Sequence, residues 1–229
     1  MAKAFFVTGT DTDAGKTLVS CALLHLAAQQ SLNTIALKPI AAGCEQTDDG
    51  LRNADALALQ GYATVKLSYD QVNPVALKEP IAPHIAAGFR QLSADRIASY
   101  CRGAMLQSAD IYLIEGAGGW RVPLNPRESL SHLVKQLDIP VILVVGMKLG
   151  CLNHALLTAE AIARDGLPIA GWVATQIDPN MLNVNENITA LKQRFHAPLI
   201  GFVPWLEDAT PEQAAQYLDL SILISSQKS

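Results

Sequence analysis

One segment near the start of the chain constrains the fold more than any other: a glycine-containing loop between an apolar run and a helical pattern. Residues 5–8 are predicted to form a strand, residues 9–17 (Gly-Thr-Asp-Thr-Asp-Ala-Gly-Lys-Thr) form the loop, and a helix is predicted from there to about residue 30. A helix N-terminus presents free N–H groups and a partial positive charge, which together suit a polyphosphate. The order strand, loop and helix therefore predicts a phosphate-binding loop.

Three residues at the end of this loop have roles that follow from their chemistry. Gly15 lets the main chain approach a ligand, Lys16 can reach the terminal phosphates, and the hydroxyl of Thr17 can bind Mg²⁺. The spacing is unusual, because five residues separate Gly9 from Gly15 where the simple phosphate-loop pattern has four. An ordinary strand-to-helix turn with a chance Gly-Lys-Thr is the alternative explanation.

Short apolar runs alternate with helical patterns along the rest of the chain. Further strands are predicted at residues 34–37, 111–115, 141–145, 169–175 and 199–203. Further helices are predicted at residues 53–60, 93–107, 129–137 and 153–164, with the proline-containing stretch 69–83 irregular. The last two strands are apolar throughout, as in central parallel strands that are covered on both faces. The pattern indicates an α/β fold, a parallel sheet flanked by helices on both faces, which we expect to form a single domain over residues 1–229.

Composition makes several classes of protein improbable for this chain. Half of its 229 residues are hydrophobic and 17% are charged, which is typical of globular proteins and not of disordered ones. With a net charge of −4 and no long run of lysine or arginine, we expect neither a nucleic acid nor a membrane as partner. The four cysteines are far apart, so we expect reduced thiols in a cytoplasmic protein.

Two carboxylates and a lysine are candidate partners of the phosphate loop. Glu115 ends an apolar strand, at the edge of an open α/β sheet where ligands bind, and the glycine-rich residues 116–119 permit close main-chain contact. Asp55 lies near the start of a helix, where the helix dipole alone also explains an acidic residue. Lys38 follows a strand and is either a fixed cation beside the loop or a solvated surface residue. The residues alone leave both explanations open for Asp55 and Lys38.

These motifs, taken in order along the chain, resemble those of the dethiobiotin synthetase family. The matching segments span nearly the whole chain and lie at residues 9–17, 38–39, 51–57, 73–74, 83–84, 115–120, 144–154, 171–174 and 204–206. Segments 9–17 and 144–154 are specific to this family and not merely to phosphate-loop proteins. The resemblance implies the fold of a P-loop NTPase.

The resemblance implies an ATP- and Mg²⁺-dependent cyclo-ligase of biotin synthesis. In this family one amine of 7,8-diaminononanoate captures CO₂ as a carbamate, and the γ-phosphate of ATP activates it as a carbamic-phosphoric anhydride. The second amine then closes the cyclic urea of dethiobiotin, and ADP and phosphate are released. Because carbamate and phosphoryl group are both anionic, cations must hold them together. The resemblance gives this task to Lys16, Lys38 and a Mg²⁺ bound by Thr17, Asp55 and Glu115.

The resemblance also assigns the other residues of the site. The catalytic residues are Thr12, Lys16 and Lys38. The nucleotide is expected to contact Asp13, Ala14, Gly15, Lys16, Thr17, Leu18, Asp55, Glu115, Gly116, Ala117, Gly118, Thr175, Gln176, Pro204, Trp205 and Leu206. The second substrate is expected to contact Thr12, Lys38, Ala42, Gly118, Gly150, Cys151 and Asn153. The family is a homodimer in which segment 146–154 receives the carboxylate tail of the substrate bound to the other subunit.

The chain departs from the family pattern at three places. Asp13 is a shorter acid than the glutamate common there, and Ala42 stands where a hydroxyl residue is usual. Thr175 and Gln176 occupy the place of an asparagine that contacts adenine in the family. For Asn153, a role as helix N-cap is an additional explanation.

Two other functions compete with the ligase. A P-loop ATPase switch of the partitioning type would carry a second lysine near the start of the loop, and none lies between Gly9 and Gly15. A small-molecule kinase would show an arginine-rich lid, for which Arg121 and Arg127 are too few.

Overall fold

The structure, a computed structural model, describes residues 2–225 of the chain. The strands within these residues are β1 (Lys3–Gly9), β2 (Thr34–Leu37), β3 (Ile40–Ala41), β4 (Glu45–Thr47), β5 (Gly50–Arg52), β6 (Val75–Ala76), β7 (Ile111–Glu115), β8 (Val141–Met147), β9 (Ile169–Gln176) and β10 (Leu199–Val203). The helices are α1 (Lys16–Gln29), α2 (Ala54–Tyr62), α3 (Tyr69–Val72), α4 (Pro83–Ala86), α5 (Ala94–Ala104), α6 (Leu130–Leu137), α7 (Cys151–Arg164), α8 (Val184–Lys192), α9 (Pro211–Ala215) and α10 (Ser221–Ile224).

The main sheet has the strand order β10-β9-β8-β1-β7-β2, and every neighbouring pair in it is parallel. From β1 the chain passes to the edge strand β2, returns through β7 to lie beside β1, and continues with β8 on the other side of β1. The direction in which successive strands are added to the sheet therefore reverses at β1. In open α/β sheets ligands bind at such a switch point, outside the carboxyl ends of the strands, so the loop after β1 lies where a ligand is expected.

Helices cover both faces of this sheet, as the sequence predicts. Phe6 of β1 packs in an apolar cluster with residues of α5, α6, α7 and α8, whereas its neighbours Phe5 and Val7 pack in a second cluster with residues of α1, α2, α9 and α10. Successive side chains of a strand point to opposite faces, so the two clusters are the two sides of one sheet. Among the helices of residues 2–225, none has the length and hydropathy that a bilayer crossing requires.

The predicted strands are confirmed, and those at residues 34–37, 111–115 and 199–203 have the predicted bounds. The expectation that both of the last two strands are central is wrong, because β10 is an edge strand with three half-buried residues among its five. Leu218 forms an antiparallel bridge with Gly201 and so covers part of this edge. That cover explains why an edge strand has the apolar character of a central one.

The predicted and observed helices differ by a few residues at their ends, and several short elements were not predicted. The helix predicted at residues 153–164 begins at Cys151, after Gly150 with a φ of 91°. Asn153 therefore lies within the first turn of α7, and its explanation as the N-cap is wrong. The stretch 69–83, predicted to be irregular, contains α3 and β6, and the sequence did not predict α8, α9, α10 or the β4–β5 hairpin.

We expect the covered edge to make Gly201 intolerant of a side chain. A Cβ atom at this position would overlap the main-chain carbonyl of Tyr217, so Gly201→Ala should lower the free energy of unfolding by about 1–3 kcal/mol or more. Gly103, in helix α5, is the matched control, because a Cβ there meets nothing within 4 Å. Gly103→Ala should raise stability by about 0.5–1 kcal/mol. Urea denaturation measures both changes, and an unaffected Gly201→Ala variant would contradict the packing of this edge.

Candidate active site

Strand register explains why Lys38 and Glu115 meet. Leu37, the last residue of β2, pairs with Ile114 of β7, so the residues that follow them stand side by side at the carboxyl ends of adjacent strands. Neighbouring strands are about 4.8 Å apart, which is within reach of a lysine and a carboxylate side chain. The two groups thus come together although 77 positions separate them in the chain.

The ammonium group of Lys38 lies between two carboxylates. Its Nζ is 2.6 Å from Glu115 Oε1 and 2.8 Å from Asp55 Oδ2, which reaches it from the first turn of α2. Lys38 is 4% exposed and Glu115 is fully buried. Burial alone lowers the pKa of Lys38, but the two carboxylates outweigh it and raise this pKa above its ordinary value. Lys38 is therefore a fixed cation of the site and not the solvated surface residue of the alternative explanation.

The three residues predicted to bind Mg²⁺ lie in one cluster. Thr17 Oγ1 donates to Glu115 Oε1 over 2.8 Å, and Asp55 shares Lys38 with that carboxylate. Within residues 2–225 the other oxygen of Glu115, Oε2, is buried and has no hydrogen-bond partner, an arrangement that a bound cation would satisfy. No group of three or more His, Cys, Asp or Glu side chains in the same residues is arranged to hold a metal ion. The donor set of two carboxylates and a hydroxyl therefore fits Mg²⁺ only together with oxygens of a ligand or water.

The phosphate loop is open to an anion along its main chain. Gly15 enters α1 with a φ of 87°, the first turn of α1 contains no acidic residue, and no side chain caps it. Its free N–H groups are thus available to a ligand. Lys16 is 6% exposed, and its Nζ donates to the carbonyl of Asp11 over 3.0 Å. Burial, and then the positive charge of Lys38, lower the pKa of Lys16, so the two ammonium groups act on each other.

The glycine-rich loop after β7 lies against the phosphate loop. Gly118 has a φ of 65°, which favours glycine, and a Cβ atom on it would lie 3.5 Å from Thr12 Oγ1. A Cβ atom on Gly119 would lie 3.5 Å from the carbonyl of Gly9. The structure therefore brings together Thr12 and Gly118, two of the residues predicted to contact the second substrate. The remaining residues predicted here differ in exposure, with Asp13 exposed, Ala14 and Gly116 buried, and Leu18 and Ala117 half-buried.

The residues predicted to surround the nucleotide base also reach this edge of the sheet. A Cβ atom on Gly15 would lie 2.8 Å from Thr175 Cγ2, so the end of β9 packs directly on the phosphate loop. The main-chain N–H of Trp205 donates to Gln176 Oε1 over 3.3 Å, which joins the segment after β10 to the end of β9. The side chain of Trp205 is 49% exposed, whereas its neighbours Pro204 and Leu206 are half-buried.

The residues predicted for the second substrate fall into two groups. Ala42 lies near the start of α2, where its carbonyl accepts a hydrogen bond from Asn53 Nδ2 over 3.2 Å. Gly150 and Asn153 are exposed at the start of α7, and Cys151 between them is buried. Within residues 2–225 no hydrogen bond or ion pair joins this second group to Lys16 or Lys38.

Sequence reasoning missed an ion pair between Asp11 and Lys148. Lys148 Nζ lies 2.8 Å from Asp11 Oδ2, and this hydrogen bond lowers the pKa of Asp11. A second link is the hydrogen bond from the N–H of Gly146 to Thr10 Oγ1, at 3.2 Å. The family-specific segment 144–154 could have indicated this pair. The strand that precedes Lys148 pairs with β1, so Lys148 lies beside the phosphate loop that follows β1.

A groove elsewhere on the protein does not coincide with the candidate site. A mostly apolar groove of about 910 Å³ is lined by Phe5, Pro140, Leu167, Phe195 and Pro198, among others, and by none of the predicted site residues. Pro140 and Pro198 directly precede β8 and β10, so the groove lies at the amino ends of strands. The buried charges and the open main-chain donors lie at the opposite edge of the sheet, at the carboxyl ends of the strands.

Comparison with known proteins agrees with this geometry. A family described as "AAA domain" matches residues 3–213. The chain is 58% identical over 226 residues to the ATP-dependent dethiobiotin synthetase BioD of Cellvibrio japonicus, covering 98% of this chain and 99% of the relative. It is 54% identical to BioD of Pseudomonas aeruginosa (strain UCBPP-PA14), with coverages of 95% and 96%, and 49% identical to BioD of Marinobacter nauticus, with coverages of 99% and 100%. The chain belongs to the dethiobiotin synthetase family.

Solved structures of more distant proteins show the fold that this dethiobiotin synthetase family member adopts. The septum site-determining protein MinD of Pyrococcus horikoshii, complexed with Mg-ADP, aligns with a TM-score of 0.57 at 15% identity, covering 99% of this chain and 90% of that one. A ParA family ATPase of Chlorobium tepidum aligns with a TM-score of 0.53 at 12% identity, with coverages of 99% and 94%. These similarities confirm the P-loop NTPase-like fold, and at such identities they carry no argument about activity.

We expect the Lys38 ion pair to be a main determinant of stability in this dethiobiotin synthetase family member. Lys38→Met removes the cation and leaves Glu115 charged and buried, so the free energy of unfolding should fall by about 3–5 kcal/mol. Lys148→Met is the matched control, because it breaks a pair in which both side chains are more than a third exposed and should cost at most about 1 kcal/mol. Urea denaturation at neutral pH measures both. Equal losses would contradict the special role of the buried pair.

Proposed function

We propose that this protein is an ATP-dependent dethiobiotin synthetase. It joins CO₂ to 7,8-diaminononanoate and closes the cyclic urea of dethiobiotin, with hydrolysis of ATP to ADP and phosphate. The observation that carries this proposal is the convergence of Lys16, Lys38 and Glu115 beside an open helix N-terminus, in a chain that is 58% identical to a relative of that name over nearly its full length. This identity favours the ligase over a partitioning-type ATPase switch or a small-molecule kinase.

The chemical problem of this reaction is the approach of two anions. A carbamate oxygen attacks the γ-phosphoryl group of ATP, forms a bond to phosphorus and displaces ADP. Fixed cations lower the barrier because they oppose the charge that both partners bring. Lys38, held as an ammonium by Glu115 and Asp55, is placed to contact the carbamate and the transferred group, and Lys16 is placed to contact the terminal phosphates.

The attack of the second amine completes the reaction. Its nitrogen bonds to the carbonyl carbon of the carbamic-phosphoric anhydride, and phosphate leaves as the cyclic urea forms. We assign Thr12 to hydrogen bonding in this region, because its hydroxyl lies beside Gly118 at the contact of the two glycine-containing loops. Ala42 offers no side-chain hydroxyl, and its carbonyl is already bonded to Asn53. The N–H groups of the next two residues, Gly43 and Cys44, are also bonded, to the carbonyls of Glu79 and Leu77.

We propose that Thr17, Asp55 and Glu115 hold Mg²⁺ together with phosphate oxygens of the nucleotide. The unpartnered buried Oε2 of Glu115 supports this assignment within residues 2–225. The ion would neutralise charge on the β- and γ-phosphates. Thr175, Gln176 and the segment 204–206 are proposed to enclose the base. The amide of Gln176 is engaged by the N–H of Trp205 and the carbonyl of Asp178, which leaves it fixed beside that space.

We propose that the enzyme acts as a homodimer in which the start of α7 receives the carboxylate tail of the substrate bound to the partner. The first turn of α7 contains no acidic residue, and Gly150 at its N-cap has no side chain. The N–H of Cys151 donates to the carbonyl of Lys148, and the N–H groups of Leu152 and Asn153 are left to receive a carboxylate. Leu149 and Leu157 are 95% and 57% exposed in a single copy of the chain. Exposed apolar side chains beside the start of α7 are typical of an interaction surface and so support the dimer.

We also propose that residues 1–229 act as one ligase domain in the cytoplasm. The parallel sheet runs from Lys3 to Val203 and uses strands from the whole of that range, which supports a single domain. All four cysteines are free and buried. Thiols of this kind persist in a reducing compartment, which supports the location.

A coupled assay tests the activity. The protein is incubated with 7,8-diaminononanoate, bicarbonate, ATP and Mg²⁺, and phosphate release and the mass of dethiobiotin are followed. We expect phosphate release to require the diamine, dethiobiotin to form in equal amount, and excess chelator to stop both because the phosphates lose their metal. ATP hydrolysis that is independent of the diamine, without dethiobiotin, would contradict the ligase and favour an ATPase switch.

Mixing of two inactive variants tests the shared site. Lys16→Gln removes the ammonium group that is proposed to contact the phosphates of the nucleotide. Asn153→Asp places a negative charge where the carboxylate tail of the partner's substrate would bind. In a mixed dimer one of the two sites combines the intact Lys16 of one subunit with the intact Asn153 of the other. After subunit exchange we expect about a quarter of the wild-type activity to return. If each site lies within one subunit, the mixture stays as inactive as its components.

A further inference from the structure

Asn73 is a buried polar residue outside the proposed site, and it holds the main chain of Lys38. It is 2% exposed, and its Nδ2 donates to the carbonyl of Lys38 over 2.6 Å and to that of Val75 over 3.4 Å. The N–H of Lys38 donates to the carbonyl of Val72 over 2.9 Å. Both main-chain groups of Lys38 are therefore bonded to the segment at the end of α3. A buried amide with several partners is fixed in one orientation.

Tyr69 extends this connection to the helix that carries Asp55. Its hydroxyl donates to Asn73 Oδ1 over 3.0 Å and accepts from the N–H of Asn53 over 2.7 Å. Asn53 is the N-cap of α2, and Asp55 lies in the first turn of that helix. The ring of Tyr69 is 8% exposed, and the guanidinium carbon of Arg52 lies 4.1 Å from its centre, which restrains the ring further.

The hydroxyl of Tyr69 thus joins two elements that must stay in register for Lys38 Nζ to remain 2.8 Å from Asp55 Oδ2. We propose that Tyr69 and Asn73 are positioning residues of the enzyme, which set the ammonium of Lys38 relative to the carboxylate of Asp55. The proposal rests on the proposed function, because the catalytic consequence assumes that Lys38 contacts the reacting anions. A 1 Å misplacement of a catalytic group can cost about 100-fold in rate. A small shift of the Lys38 ammonium is therefore expected to lower the rate.

A purely structural role is the competing explanation, and Tyr112 provides a matched control for it. This tyrosine is 7% exposed and belongs to the same apolar cluster as Tyr69. Its hydroxyl also accepts a main-chain N–H, from Ala109 over 3.1 Å, and donates to a carbonyl, that of Gln107 over 2.7 Å. It lies near the start of β7, whereas Lys38 and Glu115 meet at the carboxyl ends of the strands. Tyr112→Phe therefore removes a comparable pair of buried hydrogen bonds away from the site.

The first experiment compares Tyr69→Phe with Tyr112→Phe in steady-state kinetics and in urea denaturation. We expect similar falls in the urea midpoint, because each variant loses two hydrogen bonds. The kcat of Tyr69→Phe should fall about tenfold, with the KM for ATP changed less than about twofold, while Tyr112→Phe keeps its kcat within about twofold. Equal kcat values in the two variants, whether both fall or neither does, would overturn the proposal.

The second experiment does not depend on the activity. Lys38→Met is introduced into the Tyr69→Phe and the Tyr112→Phe proteins. The fall in urea midpoint that Lys38→Met causes is then compared between these two backgrounds. If Lys38→Met does not fold, Asp55→Asn is used instead. We expect this fall to shrink in the Tyr69→Phe background and to stay unchanged in the Tyr112→Phe background, because only Tyr69 sets the ion pair. Additive effects in both backgrounds would overturn the proposal. A wild-type protein that forms no dethiobiotin would instead overturn the proposed function, and the stability comparison would still decide the positioning role.

Discussion

The buried ion pair between Lys38 and Glu115 is the interaction on which the rest of the site depends. A fully buried carboxylate requires a cation, and Lys38 supplies it at 2.6 Å. The same contact keeps the ammonium charged at the carboxyl edge of the sheet, since the carboxylates raise its pKa. Stability and chemistry therefore rest on one arrangement of charges. Under the proposed function, this pair supplies a positive group for a reaction between anions before any substrate binds.

Lys16 and Lys38 place two positive charges side by side in the proposed site. Their mutual repulsion is seen in the lowered pKa of Lys16, to which burial contributes first. The carboxylates of Asp55 and Glu115 offset that repulsion, and the switch point at β1 holds all four groups at adjacent strand and helix ends. Main-chain N–H groups at the start of α1 add donors whose charge does not depend on pH. A phosphoryl group and a carbamate, brought together by a ligase, are anions that such a site can hold side by side.

The sequence predicted the parts of the site that depend on local order along the chain. The phosphate loop and Glu115 were predicted from the position of their residues after strands. Lys38 and Asp55 were selected only through the family resemblance, because their contact depends on the register of β2 against β7 and on the start of α2. The pair of Asp11 with Lys148 and the bonds of Tyr69 were not predicted, since they join residues through the fold and leave no pattern in composition or spacing. The error at Asn153 arose because a polar residue near a helix start suggests a cap, while the backbone of Gly150 begins the helix by its positive φ.

The hydrogen bond from Lys16 to the carbonyl of Asp11 has a consequence for which ligands the loop retains. A nucleotide has to exchange this internal bond for contacts of its own, and only phosphates far enough along the chain to reach the ammonium make that exchange favourable. A nucleoside monophosphate would leave the lysine where it is and gain nothing from it. Under the proposed function the lysine is placed to reach the β- and γ-phosphates, so the internal bond acts as a threshold that a ligand passes only with two or more phosphates.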